Sequence, residues 1–118
     1  MRILLIFNHY PYDGSDIAWN SLRLAETLLN SEHDVRIFLM NDAVDLARNE
    51  TIKPEGYDKD LVQILKALVD KGLKLRVCGT CMARCGIHKN KPYFMDGIKA
   101  TMKDLADWTV ESDKVISF

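Results

Sequence analysis

The chain's three cysteines, Cys78, Cys81 and Cys85, lie within one stretch of eight residues. They follow a short apolar segment and open a stretch that suits a helix. A helix start offers free backbone N–H groups and the positive end of the helix dipole. This environment stabilises a thiolate, which is the reactive form of cysteine. The pattern therefore predicts sulfur chemistry in this segment.

Cys78 is the predicted nucleophile, because it stands where the strand gives way to the helix. Thr80 is predicted to cap that helix, which would leave the Cys78 sulfur facing its amino end. A thiolate held there, and within reach of a partner, can accept a sulfane sulfur as a persulfide and pass it to another thiol. It needs no general base if it is already ionised. The sequence thus predicts a sulfur carrier or sulfurtransferase-like protein.

The neighbouring side chains supply auxiliary groups and a second hypothesis. Cys81 lies one helical turn from Cys78, so it could resolve a persulfide as a disulfide, and the C-x-x-C spacing is that of thioredoxin-like redox motifs. Cys85 is predicted to face the same way as Cys81, and Arg84 could stabilise negative sulfur. The alternative function is a non-catalytic, oligomeric thiol redox-sensing or binding module.

A metal site is the third, less favoured interpretation. The three cysteines with His88 would provide the soft ligands of a zinc or iron–sulfur site. However, structural zinc ligands usually come as two pairs from separated segments, and this chain has no second pair. Along one helix the three sulfurs would also splay apart. We therefore expect no metal.

The loop after the first predicted strand could border the same pocket. His9 and Tyr10 are its candidate site residues. Residues 8–14 lack the glycine pattern of phosphate-binding loops, so no nucleotide cofactor is expected.

Apolar runs alternate with helical patterns along the chain, which is typical of an α/β fold with a mainly parallel sheet covered on both faces. Strands are predicted at 3–7, 34–40, 73–77 and 114–118. Helices are predicted at 16–30 (capped by Ser15 or Asp16), 43–48 (capped by Asn41 or Asp42), 60–71 (capped by Asp58 or Asp60 and ending before Gly72) and 99–112, besides the one in the cysteine segment; a loop with Pro92 is predicted at 87–96.

Ligands of such sheets bind outside the carboxyl ends of the strands. Residues 8–15, 40–42 and 78–85 are predicted to share that edge. The whole chain, residues 1–118, is predicted to form one domain.

Composition and charge exclude several classes of function. The 118 residues are 47% hydrophobic and 28% charged, with a net charge of -1, so nothing favours nucleic acid or an anionic membrane as a partner. No apolar run approaches the ~20 residues that span a bilayer, and residues 2–7 are too short for a signal peptide. The clustered, odd-numbered cysteines do not fit a secreted disulfide framework. A cytoplasmic location is expected.

Several short segments occur in an order that is typical of one family. They are Tyr12–Ser15, Asn20–Ala25, Phe38–Val44, Glu55–Tyr57, Cys78–Cys81, Asp96–Ile98, Leu105–Thr109, Ser112–Val115 and the terminal Phe118. In this order they resemble the DsrE/DsrF family, which includes the TusD sulfur-relay subunits, and most closely its small YchN-like members. The resemblance covers nearly the whole chain.

The resemblance implies a three-layer α/β/α sandwich with a mainly parallel sheet of four to five strands. It also implies assembly into homotrimers or hexamers, and, in the relay branch, persulfide transfer between donor and acceptor proteins through a cysteine that corresponds to Cys78. The family pattern places an Arg-Gly pair after the second cysteine. Here Cys85 precedes Gly86 and the arginine comes one position earlier, as Arg84. One helical step is a rotation of about 100°, so the family arginine's role does not transfer directly to Arg84.

Overall fold

Five parallel strands form one sheet in the order β4-β3-β2-β1-β5. The structure, a computed structural model, describes residues 1–49, 53–89 and 93–118, with the backbone alone for 85–89. The strands are β1 (Arg2–Phe7), β2 (Asp34–Leu39), β3 (Lys74–Cys78), β4 (Lys99–Ala100) and β5 (Lys114–Ser117). The helices are α1 (Ile17–Asn30), α2 (Leu61–Asp70), α3 (Gly79–Lys89) and α4 (Met102–Glu111), with a 3₁₀ helix at Asn41–Ala47.

The sheet is buried most deeply at β2, where the five side chains Val35–Leu39 are all buried. Successive side chains of a strand point to opposite faces, so an unbroken buried run means that both faces are covered. On one face Phe38 meets Trp108 of α4 edge to face, with ring centroids 6.1 Å apart. These observations confirm the α/β sandwich and its parallel sheet.

Strand β4, which was not among the four predicted strands, lies where the last helix was expected to begin. Residues 99–100 form β4 because the Val77 N–H donates to the Ile98 carbonyl at 2.8 Å and draws this segment onto the edge of β3. Helix α4 then begins at Met102. Thr101 and Asp104 cap its start reciprocally: the Thr101 N–H donates to Asp104 Oδ2 at 2.8 Å, and the Asp104 N–H donates to Thr101 Oγ1 at 3.2 Å.

The predicted helix over 43–48 is instead a 3₁₀ helix that begins two residues earlier. Asn41 and Asp42 lie within it and do not cap it; Met40 precedes it in an extended conformation, and no side chain caps it. Every residue from Ala43 to Ala47 is buried.

The remaining helix ends follow the predictions in part. Asp60 caps α2 by accepting from the Gln63 N–H at 3.2 Å, and Gly72 after α2 has a left-handed φ of +110°. Before α1, Asp16 makes no capping bond, whereas the Ser15 hydroxyl accepts from the Ile17 N–H at 3.3 Å.

Helix α3 continues to Lys89, so the loop predicted from residue 87 begins too early. The predicted Pro92 loop falls partly on residues 90–92, outside the described residues. In the part of the chain that the structure describes, no helix is both long and apolar enough to cross a membrane.

Candidate thiol site at the carboxyl edge of the sheet

Strand β3 runs into helix α3 without an intervening loop. Cys78 is the last strand residue and Gly79 the first helical one, so the predicted cap, Thr80, is wrong: it lies exposed at the second helical position. Cys78 takes the capping place itself. Its Sγ accepts a hydrogen bond from the Cys81 N–H at 3.5 Å, which is the bond that an N-cap side chain receives from the third helical residue.

Gly79 allows this abrupt junction because a side chain there would collide with β4. A Cβ on Gly79 would lie 2.9 Å from Lys99 Cε and 3.2 Å from the Ala100 carbonyl oxygen. The aliphatic chain of Lys99 therefore lies over the first turn of α3, beside Cys78, whose pairing partner in the sheet is Ala100. Lys99 was not predicted as a neighbour of this junction, because residue 99 was predicted to be helical.

The second thiol is held by the segment that follows β2. The Asn41 N–H donates to Cys81 Sγ at 3.2 Å, and Asn41 Nδ2 donates to Asn8 Oδ1 at 3.0 Å. These bonds join the ends of β1, β2 and β3, which confirms that the three predicted segments meet at one edge. Asn8 and Asn41 were not predicted as site residues; their only sequence signal is a polar residue just beyond an apolar strand.

Both cysteines are free thiols and both are nearly buried, with 8% of Cys78 and 9% of Cys81 exposed. The expectation of a sulfur within reach of a partner is therefore corrected: Cys78 is largely enclosed. Burial raises the pKa of the Cys81 thiol, as does its hydrogen bond with Cys78. The Asn41 N–H acts in the opposite direction without cancelling them. Cys81 is thus kept protonated at neutral pH.

Arg84 lies near the thiols but is paired with an acid. Its guanidinium lies 3.0 Å from the Asp42 carboxylate, and both side chains are 60% exposed. Its charge favours the Cys81 thiolate, as the smallest of the contributions to that pKa. The pair joins the 3₁₀ helix to α3 on the solvent side of the two cysteines.

The side chains of Cys85 and His88 lie outside the described residues, so their predicted roles remain predictions. Among the side chains that are described, no three His, Cys, Asp or Glu groups converge on a point where they could hold a metal ion. The metal hypothesis required Cys85 and His88, and it remains untested.

The loop after β1 is placed differently from the prediction. His9 is exposed and lines a small crevice with Phe7, Ile17 and Phe118, on the β5 side of β1 and away from β3. Tyr10 is half-buried and close enough to Tyr12 to contribute to the raised pKa of that phenol, whose main cause is burial. The residue that links this loop to the thiols is Asn8, which accepts a hydrogen bond from Asn41, the residue bonded to Cys81.

The fold and the site together define an α/β protein with a pair of thiols at the carboxyl edge of a parallel sheet, one of them capping a helix. The model of the DsrE/DsrF-like family matches residues 1–118. The chain is 38% identical to the protein YchN of Escherichia coli K12. The alignment of 120 positions covers 99% of this chain and 98% of that one. It is 33% identical to an uncharacterized protein of Methanopyrus kandleri over 119 residues, 98% of this chain and 93% of the relative.

The crystal structure of the E. coli ychN protein superimposes with a TM-score of 0.84 at 37% sequence identity, covering 100% of this chain and 99% of that one. The chain belongs to the DsrE/DsrF-like family, as the resemblance predicted. The family is associated with sulfur relay.

Proposed function

We propose that this protein is a sulfur carrier of the sulfurtransferase type, which holds a sulfane sulfur as a persulfide on Cys78. The observation that supports this most directly is the position of the Cys78 sulfur. It caps α3 and receives the Cys81 N–H at 3.5 Å, so the amino end of the helix faces it. Negative charge on sulfur is stabilised at such a position, in the thiolate and in the persulfide alike.

The chemistry needs only thiolate exchange. The Cys78 thiolate attacks the terminal sulfur of a donor persulfide, the donor leaves as its thiolate, and Cys78 becomes the persulfide. An acceptor thiolate then attacks that terminal sulfur, takes it over and releases the Cys78 thiolate. Neither step consumes an oxidant or a reductant.

The burial of Cys78 decides which donors suit it. With 8% of the residue exposed, we expect a small persulfide to suit the site better than a donor protein, which would have to present its persulfide on a narrow segment. Cys81, protonated because its pKa is raised, contributes a hydrogen-bond donor to this site as its auxiliary thiol.

The test is to load the protein with a small persulfide, glutathione persulfide, and measure its intact mass. A Cys85→Ser background leaves only the two described thiols, and we expect a gain of one sulfur atom in it. Adding Cys78→Ser should abolish the gain, and adding Cys81→Ser instead should slow it without abolishing it. Equal loading of the Cys78→Ser protein would refute the assignment.

A second candidate function is a dithiol–disulfide redox module. It is favoured by the fact that the two free thiols share one helical turn and a direct N–H to sulfur bond. Mild oxidation of the Cys85→Ser protein would then remove two hydrogen atoms reversibly, and glutathione persulfide would leave no stable extra sulfur. The same mass spectra therefore separate the two candidates.

We also propose that the chain acts as a homo-oligomer, a trimer or hexamer, that exchanges sulfur with partner proteins. Family membership supports this, as do the exposed apolar side chains of β5: Val115 is 42% and Ile116 38% exposed. Native mass spectrometry tests it, and a monomer at micromolar concentration would contradict it.

A further inference from the structure

Asn41 has a backbone conformation that residues other than glycine rarely adopt. Its φ is +52°, and among the described residues only Glu32 shares a positive φ without being glycine. Asparagine enters this left-handed region more easily than most residues, but the conformation still costs free energy and often marks a functional position. Glu32 lies in the exposed turn between α1 and β2, whereas Asn41 lies against a thiol.

Asn41 in this conformation directs two groups to opposite sides. Its N–H points at Cys81 Sγ, 3.2 Å away, and its side-chain amide donates to Asn8 Oδ1 at 3.0 Å. Asn8 is fixed in turn, because its Nδ2 donates to the Ser117 hydroxyl and to the Phe118 carbonyl, each at 3.0 Å. A line of hydrogen bonds thus crosses the carboxyl edge from the end of β5 to α3.

We propose that Asn41 is a positioning residue for the thiol pair: its left-handed backbone holds the Cys81 sulfur and so keeps the Cys81 N–H and thiol directed at Cys78. This inference rests on the proposed function, because the sulfur so arranged is the one assigned to carry the persulfide. Of the two thiols, Asn41 bonds only to that of Cys81. It acts on Cys78 through that residue.

Charged side chains lie on three elements near Cys81, and replacing Asn41 removes none of them. Arg84 lies on the same helix, with Cys78 at its start; Asp42, on the 3₁₀ helix, is bound to Arg84. From β4, the Lys99 chain lies over Gly79. A change in Cys81 titration after substitution of Asn41 therefore reports on the hydrogen bond and not on a lost charge.

Two substitutions separate the backbone from the side chain. Asn41→Gly removes the amide but adopts a positive φ without strain, so the N–H stays on the sulfur. Asn41→Ala also removes the amide and makes the left-handed conformation costly, so the backbone relaxes and the N–H leaves the sulfur. Both are placed in a Cys78→Ser, Cys85→Ser protein, whose only remaining thiol is Cys81.

The measurement is the rate of alkylation by iodoacetamide as a function of pH. Asn41→Ala should raise the midpoint of the Cys81 profile by about one pH unit, the scale of one hydrogen bond to a charged group. Asn41→Gly should leave the midpoint unchanged. An unchanged profile for Asn41→Ala, or an equal shift in both variants, would overturn the proposal.

Gly72→Ala supplies the matched control, because it strains a positive φ of +110° before the start of β3, whereas the thiols lie at its end and beyond. It should destabilise the protein without moving the Cys81 midpoint, whereas a shift equal to that of Asn41→Ala would mean that loss of stability alone explains the effect. The readout contains no persulfide. A protein that loads no sulfur while Asn41→Ala still shifts the profile would refute the carrier function and leave the positioning role intact.

Discussion

The two ends of the 3₁₀ helix Asn41–Ala47 hold buried polar groups in contrasting ways. Near its carboxyl end, Arg48 Nε lies 2.7 Å from Asp45 Oδ1, and the two side chains are only 2% and 1% exposed. Arg48 also donates to the Tyr93 hydroxyl at 3.0 Å and lies 4.5 Å from the centre of its ring. At the amino end the buried groups are two thiols, which receive single backbone N–H groups at 3.2 and 3.5 Å.

The difference separates a buried ion pair, which the fold must keep closely paired, from thiols, which it can bury uncharged. A buried charge is tolerated only with a close, well-directed partner, so the Asp45–Arg48–Tyr93 cluster is a structural clamp. It binds the segment at Tyr93 to the 3₁₀ helix, where the Phe94 N–H also donates to the Ala47 carbonyl at 2.8 Å. A thiol can be buried uncharged at little cost, and it becomes a nucleophile only when it ionises.

The largest expected effect comes from breaking the clamp. Arg48→Met removes the positive charge that balances the buried Asp45 carboxylate, so the free energy of unfolding should fall by about 3–5 kcal/mol, measured by urea denaturation. Arg84→Met removes an exposed ion pair with Asp42 and should cost no more than about 1 kcal/mol. Equal losses of stability in the two variants would show that the buried ion pair of the clamp contributes no more than the exposed one.

A middle-sized effect is expected at the junction of β3 and α3. Gly79→Ala places a Cβ against Lys99 Cε and the Ala100 carbonyl oxygen, so the fold should lose about 1–3 kcal/mol of stability. Lys99→Ala in the same protein should restore part of it, since the flexible side chain can be removed and the carbonyl cannot. If the double variant is no more stable than Gly79→Ala, the Lys99 contact is not the cause.

The smallest effect is in the dependence of stability on pH. Because the folded protein raises the pKa of Cys81, it holds that proton more tightly than the unfolded chain does. This contribution to the free energy of unfolding is fully present below the pKa of the unfolded thiol and is lost as the pH rises through the folded one. Stability should therefore decline in this alkaline range.

Cys81→Ser is the control for this decline, because it lacks the titrating thiol. The difference in unfolding free energy between the parent and Cys81→Ser, measured from pH 7 to pH 10, should fall with rising pH. Subtracting the two series removes the tyrosine and lysine titrations that both proteins share. A constant difference would contradict the raised pKa.

Much of the fold could be predicted because periodicity along the chain reports burial directly. The apolar runs gave β1, β2, β3 and β5 to within a residue or two, and Asp60 and Gly72 marked the ends of α2. The errors fell where distant partners decide the local conformation. Residues 99–100 join β3 as a strand because Val77 binds the Ile98 carbonyl, a pairing that nothing near residue 99 specifies.

For the site, the sequence identified Cys78 and Cys81 as thiols at a strand-to-helix junction, since residue type and spacing alone carry that information. Which residues surround them was decided by tertiary structure: Asn41 approaches Cys81 from the 3₁₀ helix, Lys99 covers Gly79 from β4, and His9 lies on the far side of β1. Burial of the two sulfurs was likewise fixed only when separate segments closed over them. A chain's local pattern sets where a thiol stands along a strand or helix, whereas its solvent access and its hydrogen-bond donors come from contacts between residues far apart in sequence.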